Sequence, residues 1–417
     1  MPLQSIVIIG AGHGGFQVAA SLRQEGFDGE IILVNNEQGL PYQRPPLSKA
    51  YLLGKINASA MIFRPEVFYE DQRIRMIHDD AEAIDRQNQR VILKSGAELR
   101  YDHLVLATGA HNRPLNVPGS DMDGIFGIKT KVDADALSPL LQSAKNVVVI
   151  GAGFIGLEFA AVAAAGGATV EVIELGDRLM ARAVSPQMSE LFLSAHQGWG
   201  VKFNFRTGIA ALKGEGGKVA EVVTSDGRLL PADLVVFGIG VIPNVALALE
   251  AGLEIDNGIR VNGNMLTSDP AISALGDVAA FPCAQNDEKL TRLESVQNAV
   301  DQGKLIAARL MGKPAQYSAL PWFWTDQGSL KLQIAGLSTG ADSYVALGDI
   351  EKQQLSVLCF RGQELLAVES CSRPGDHIIA RKILSRPPAL TPAIAATPGF
   401  DLKVWESENR PGEGAGR

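Results

Sequence analysis

Two glycine triplets and two carboxylates carry the plainest chemistry in this chain. Gly10-x-Gly12-x-x-Gly15 and Gly151-x-Gly153-x-x-Gly156 have the same spacing. Each follows a short β-branched run, Ser5–Ile9 or Asn146–Ile150, and each opens a helix-forming segment, Phe16–Gln24 or Leu157–Ala165. In such a unit the first glycine permits a tight turn. The second lets the backbone approach a pyrophosphate, and the third lets the helix pack close on its strand. The helix N-terminus then offers free N–H groups and a positive dipole end to the phosphates. An acid about 20 residues further on is placed for ribose hydroxyls. Glu37 lies 22 residues past Gly15, and Glu174 lies 18 past Gly156. At the end of the strand Glu30–Val34, where that acid is commonest, this chain has Asn35.

The stretch VVVIGAGFIGLEFAAVAAAGG (147–167) has one charge, Glu158. Its hydropathy suits a membrane span, but a span needs about 20 residues of one continuous helix. The glycines at fingerprint spacing read instead as strand, turn and helix. Glu158, two residues into that predicted helix, has two readings. It is either an N-terminal-turn glutamate favoured by the helix dipole or a group presented to a ligand.

The elements that position these residues follow from the whole chain. Its 417 residues are too many for one ordinary core, so about two to three domains are expected. The net charge of −8 offers no basic stripe for phosphates, which argues against nucleic acid as the main partner. The opening MPLQSIVIIGAG runs into a strand and a glycine turn without a secretory pattern, so a cytoplasmic protein is expected. Cys283, Cys359 and Cys371 form no CxxC, and the six histidines show no metal-ligand spacing, so no metal is expected. Two dinucleotide sites in one chain imply a bound flavin and a mobile nicotinamide, since hydride transfer needs both. Three stretches place the flavin with the first unit. YDHLVLATGA (101–110) is a buried strand leading into Thr108 and Gly109. ALGDVAAF (274–281) is a strand ending in Gly276-Asp277, and LPADLVVFGIGVIPN (230–244), with Gly240, returns the chain to the first unit. The second unit, with Gly151, Gly153, Phe154, Ile155, Gly156 and Glu158 in its turn and helix, takes the nicotinamide. Glu174 favours NADH by repelling a 2′-phosphate; Arg178 and Arg182 are placed to accept one. Beyond residue 320 the pattern changes. SLKLQIAG (329–336) and QQLSVLCF (353–360) alternate as half-buried strands, and a hairpin turn at Phe360–Glu364 leads into LLAVES (365–370). A helix over Pro374–Leu384 follows, with Arg381 and Lys382 exposed, then a meandering proline-rich 386–400 and a disordered SENRPGEGAGR.

Both fingerprints and these strands resemble the two-dinucleotide-binding-domain flavoprotein oxidoreductases. Pro41-Tyr42-x-Arg44-Pro45-Pro46-Leu47-Ser48-Lys49, WFWTDQ (322–327) and RLESVQNAVDQGK (292–304) resemble, more narrowly, the NADH-dependent ferredoxin reductases of bacterial cytochrome P-450 and ring-hydroxylating dioxygenase systems, the putidaredoxin reductase and rhodocoxin reductase type. The resemblance covers residues 4–390. It implies an α/β fold with two Rossmann-like domains, the NAD domain inserted in the FAD domain, and a C-terminal α+β interface domain. The expected bounds are 1–112 with 243–319 for FAD, 113–242 for NAD, 320–400 for the C-terminal domain and 401–417 for a flexible tail. It implies that Gly10, Gly12, Gly14 and Gly15 surround the FAD pyrophosphate, with Asn36 or Glu37 at the ribose and backbone near Ala81 at the adenine. Arg44 and Lys49 approach the flavin, Asp277 takes the ribityl chain, and Val296 and Trp324 lie near the ring. Lys129 stands where the family usually has arginine; it keeps the charge but lacks the planar fork. Glu158 faces the nicotinamide and pairs with Lys49. NADH passes a hydride to FAD, which releases electrons singly to a [2Fe–2S] ferredoxin in a transient, charge-steered encounter. No membrane contact is implied, and a monomer or weak dimer is expected. Relatives of the superfamily that use cysteines are not matched, because 35–55 lacks cysteine and no close pair exists. The same signature occurs in apoptosis-inducing-factor-like flavoproteins. Reduction of rubredoxin or a quinone-like oxidant, and a redox-signalling role, therefore stay open beside the ferredoxin.

Overall fold

The computed structural model describes residues 3–314, 316–386 and 390–410. They form two compact units, and the chain passes between these several times. The first unit comprises Met1–Pro46, Ile56–Arg113 and Val241–Ala319; the second comprises Leu47–Lys55, Pro114–Gly240 and Leu320–Arg417.

The first unit is built on a five-stranded parallel sheet in the order Ile272–Ala274, His103–Leu106, Ser5–Ile9, Glu30–Asn35, Ile74–His78. Its central strand is apolar at Ile6, Val7, Ile8 and Ile9, all buried, the continuous pattern of a parallel strand covered on both faces. The following helix spans His13–Gln24 and begins three residues before the sequence expectation, because the third fingerprint glycine lies inside it. Its neighbour is the helix Val296–Leu310. A Cβ on Gly303 would lie 3.1 Å from the Gly14 carbonyl oxygen, so the two helices approach at glycine.

The second unit repeats that plan. Its parallel sheet runs Lys202–Asn204, Thr169–Ile173, Asn146–Ile150, Leu234–Phe237, Ile125–Gly127. In both sheets the fingerprint strand is central, with the next strand in sequence on one side and a later strand, His103–Leu106 or Leu234–Phe237, on the other. The same unit holds an antiparallel sheet in the order Trp322–Gln327, Leu330–Gly336, Glu364–Cys371, Gln354–Arg361, Ser343–Asp349, with the helix Pro374–Leu384 against it. The expected strands, hairpin and helix of this region are present; Trp322–Gln327 and Ser343–Asp349 are further strands.

Four expectations are corrected. Residues 274–281 are not one strand: Ile272–Ala274 ends, a short turn Gly276–Val278 follows, and Ala279–Cys283 begins another. The segment 386–400 contains the short helix Pro392–Ala395, capped by Thr391. The chain is ordered into the region expected to be tail: Leu402–Glu408 is a helix capped by Asp401, with Leu402 buried in the C-terminal core and Glu406 buried against Arg386 and Arg410. Residues 411–417 of the expected disordered end lie outside the described residues. The second fingerprint helix spans Phe154–Ala165, so Glu158 is its fifth residue, and no acid stands in its first turn. Among the described residues no helix is long and apolar enough to cross a membrane.

Candidate active site

The glycines of each turn divide by what they are needed for. A Cβ on Gly10, whose φ is +100°, would lie 2.3 Å from the Ala107 carbonyl oxygen, and one on Gly15 would lie 1.8 Å from that of Gly10. The chain itself demands those two glycines. A Cβ on Gly12 would meet nothing within 4 Å. The second turn behaves alike: Gly151 (φ +98°) is closed by the Gly238 carbonyl at 2.6 Å and Gly156 by that of Gly151 at 2.2 Å, while Gly153 has only the Gly238 oxygen at 3.8 Å. The middle glycine of each turn therefore leaves space that no part of its own chain uses. Each is also the N-cap of its helix, with no side-chain cap, whereas Thr130, Ser185 and Ser295 cap other helices by side chain. An open notch beside uncapped N–H groups fits a pyrophosphate at both turns.

The two ribose acids are held differently. Glu174 closes its own turn: its Oε2 accepts from the Ala152 N–H at 2.8 Å and its Oε1 from the Gly176 N–H at 2.7 Å. Glu37 is paired to the Arg44 guanidinium and accepts from the Tyr42 hydroxyl, while the Asn35 amide donates to the Glu37 carbonyl at 2.8 Å. Asn36 beside it is exposed. Arg178 is corrected as a phosphate acceptor. Its guanidinium donates to the carbonyls of Val184 and Ala181 and to Ser189 Oγ, all within 2.8 Å, and so braces its own loop. Arg182 is exposed.

Glu158 sits in the second unit, and so does Lys49, carried by the excursion Leu47–Lys55. The carboxylate is 4% exposed. Its Oε1 lies 3.0 Å from Lys49 Nζ and accepts from Thr325 Oγ1 at 2.6 Å; its Oε2 accepts from Ser48 Oγ at 2.5 Å. Burial pushes the carboxyl above the ordinary range, and Lys49, Ser48 and Thr325 pull it back. Placed beyond the first helical turn, Glu158 owes little to the helix dipole, whose effect fades within that turn. A charge buried this deeply persists only where partners answer it, and here three do. Sequence reasoning pairs Glu158 with Lys49 but does not reach Ser48 or Thr325. The available signal is WFWTDQ itself, where Thr325 and Gln327 alternate as polar residues at buried strand positions.

The remaining expected residues are placed as follows. In the first unit Thr108 and Asn244 exchange hydrogen bonds at 2.9 and 2.7 Å, and Gly109, at φ +64°, accepts from the Asn244 N–H at 2.9 Å. Gly276 (φ +73°) donates to Gln302 Oε1 at 2.8 Å and sets Asp277, half-buried, on the turn past its strand. Val296 opens its helix and Ala81 opens a strand, both half-buried. In the second unit Trp324 is tilted against Trp322 at 5.6 Å, Phe154 meets Phe323 edge-on at 5.4 Å, and Ile155 is exposed. Gly240 (φ +99°) has open space around its Cβ position, and the backbone N–H of Lys129 donates to Asp133.

Each unit thus carries one open turn on a parallel sheet, and the chain that builds both matches a known family. Residues 4–303 match the pyridine nucleotide-disulphide oxidoreductase family and residues 322–405 a reductase C-terminal domain. The chain belongs to that oxidoreductase family. Its cofactors are FAD and a nicotinamide dinucleotide, which the open turns accommodate. The chain is 48% identical over 401 residues to rhodocoxin reductase of Rhodococcus erythropolis, covering 96% of this chain and 94% of that one. The structure of a ferredoxin reductase for the CYP199A2 system from Rhodopseudomonas palustris superposes with a TM-score of 0.94 at 47% identity, covering 97% of this chain and all of the other. Putidaredoxin reductase, in its covalent complex with putidaredoxin, superposes with a TM-score of 0.94 at 37% identity, covering 98% of this chain and 100% of that chain.

Proposed function

We propose that this oxidoreductase is an NADH-dependent ferredoxin reductase serving a cytochrome P-450 or ring-hydroxylating oxygenase. The observation that carries this reading is the cysteine set. Cys283, Cys359 and Cys371 are free and buried, and on their neighbouring strands Cys359 faces Ala367 while Cys371 faces Leu355. No dithiol relay stands between a flavin and its acceptor, so electrons leave directly for a one-electron protein carrier. Relatives named as ferredoxin-type reductases align along nearly the whole chain, which supports a small [2Fe–2S] ferredoxin as that carrier.

Bound FAD supplies the redox chemistry, taking a hydride from NADH and giving up electrons singly. The chain's own residues bind and orient. Gly10, Gly12, Gly14, Gly15 and the helix N-terminus at His13 hold the FAD pyrophosphate, with Glu37 at the ribose, Thr108, Gly109, Lys129, Gly276 and Asp277 along the cofactor, and Val296 and Trp324 near the ring. Gly151, Gly153, Phe154, Ile155, Gly156 and Gly240 receive the nicotinamide dinucleotide. Glu174 repels a 2′-phosphate and Arg178 is committed to its loop, which favours NADH as the donor; exposed Arg182 is the one of the two arginines left to meet the dinucleotide. Lys49 and Glu158 position the carboxamide and answer charge on the flavin. The FAD domain takes 1–112 with 243–319, apart from the Leu47–Lys55 excursion, the NAD domain 113–242, and the interface domain runs from 320 through the helix Leu402–Glu408; the protein works in the cytoplasm.

The test is anaerobic NADH oxidation with [2Fe–2S] ferredoxins, rubredoxin, a disulfide and peroxide as alternative acceptors. Saturable turnover with a ferredoxin and almost none with disulfide or peroxide is expected. Flavin reduction without transfer to any protein carrier refutes the acceptor assignment.

A further inference from the structure

A buried hydrogen-bond chain in the second unit ends on Glu158. It starts at His196, fully buried on the helix Pro186–Gly198, whose Nε2 lies 2.9 Å from Gln327 Oε1. Gln327 Nε2 lies 3.3 Å from Thr325 Oγ1 and 3.7 Å from Met180 Sδ. Thr325 Oγ1 lies 2.6 Å from Glu158 Oε1. Gln327 and Thr325 stand two apart on the strand Trp322–Gln327 and so project to one face.

The polarity of this chain is set from its acidic end. A carboxylate only accepts, so Thr325 gives its single hydroxyl proton to Glu158. Thr325 Oγ1 then accepts from Gln327, which presents its amide nitrogen there. The amide oxygen is left for His196, whose Nε2 must donate. Burial lowers the His196 pKa to about 4, so the ring is neutral. Its Nδ1, buried without a partner, is then a bare acceptor rather than a stranded donor. The three bonds from His196 to Glu158 all run donor-first towards the carboxylate, and bonds in such a chain polarise one another in the same sense. Lys49 is the charged group facing Glu158; the strand and the helix beside it present only the neutral Thr325, Gln327 and His196.

We infer that Thr325, backed by Gln327 and His196, is a positioning residue that holds the Glu158 carboxylate in one orientation and in its charged form for the nicotinamide. This rests on the proposed role of Glu158 in receiving NADH. Thr325 thereby takes part in the hydride step through Glu158 rather than by touching either nucleotide.

The experiment is rapid-mixing reduction of the FAD-loaded enzyme by NADH without oxygen, read by flavin absorbance from acid to alkaline pH. Parent, Thr325→Val, Thr325→Ser, Gln327→Met and Glu158→Gln are compared. The rate in the parent rises with pH as Glu158 ionises. Thr325→Val removes a donor that favours the charged carboxylate, so its midpoint moves up by about one pH unit and, at any pH below the parental midpoint, its rate falls by up to about tenfold. Gln327→Met moves the midpoint in the same direction by less, and Thr325→Ser keeps the parental profile. Glu158→Gln removes the pH dependence. A parental midpoint in Thr325→Val, with the dependence lost in Glu158→Gln, overturns the positioning role even if Thr325→Val is less stable. An unchanged rate and profile in Glu158→Gln overturns both the inference and the nicotinamide role beneath it.

Discussion

Replacing Lys49 with methionine tests what keeps a carboxylate charged in a buried site. Methionine keeps much of the side-chain length and removes the ammonium. Lys49 Nζ stands 3.0 Å from Glu158 Oε1. At an effective dielectric of about 20, that separation corresponds to roughly 5 kcal/mol of attraction. Losing one partner of a buried pair costs about 3–5 kcal/mol. Ser48 and Thr325 still donate to Glu158 in the variant, which favours the low end, about 3 kcal/mol. At 1.36 kcal/mol per unit, the carboxyl rises about two further pH units above the level burial already imposes. The sign follows from linkage. An acid whose pKa is higher folded than unfolded supports folding fully below its unfolded pKa, and that support is lost as pH rises through the folded pKa. Lys49→Met should therefore nearly match the parent near pH 5 and fall behind by about 3 kcal/mol near pH 9. Urea unfolding of the FAD-saturated proteins, followed by circular dichroism at several pH values, measures the difference. Parallel stability curves, with one constant deficit at every pH, would refute the reasoning and make Lys49 a packing residue.

Three other outcomes are expected. Gly12→Ala should keep the parental melting temperature but lose much of its FAD, whereas Gly10→Ala and Gly15→Ala should destabilise the fold itself; flavin-to-protein absorbance and thermal melting separate the two effects. Glu174→Ala should lower kcat/KM for NADH by about tenfold and narrow the preference over NADPH, measured with both donors. Glu369 is fully buried, accepts from the Ser185 hydroxyl and N–H, and is pushed up to about 7 by burial. Stability attached to it is lost as pH rises from the ordinary carboxyl range through about 7, so Glu369→Gln should flatten the fall in melting temperature over that window.

Local pattern made the two parallel sheets readable. Five-residue β-branched runs before glycine turns, such as Ser5–Ile9 and Asn146–Ile150, form the central strands where they were expected. Helix starts were misplaced because Gly15 and Gly156 read as turn residues, while their missing side chains in fact let the first helical turn lie against the preceding strand. The active-site cluster was only partly legible. Ser48, Thr325 and Glu158 are separated by 110 and 167 residues along the chain, and no spacing encodes that meeting. The resemblance supplied Lys49 beside Glu158; the hydroxyls that complete the site came from the fold. Beyond residue 400, polar composition suggested a tail, but Leu402 and Trp405 on one helical face were enough to bring the segment onto the core.

The short antiparallel pair Ala110–Asn112 and Val241–Pro243 bears on how the protein is made. It is the stem through which the chain leaves the first unit after Arg113 and re-enters at Val241. On the ribosome, all five strands of the second parallel sheet have been synthesised by Phe237, whereas the sheet that began first still awaits Ile272–Ala274. The later-starting sheet can thus close while its host remains open, the order expected when modules fold as units during synthesis. Once the stem pairs, a completed insert costs its host no more closure entropy than a tight turn. Translation order and the stem together let the nested sheet mature early without delaying the one that surrounds it in sequence.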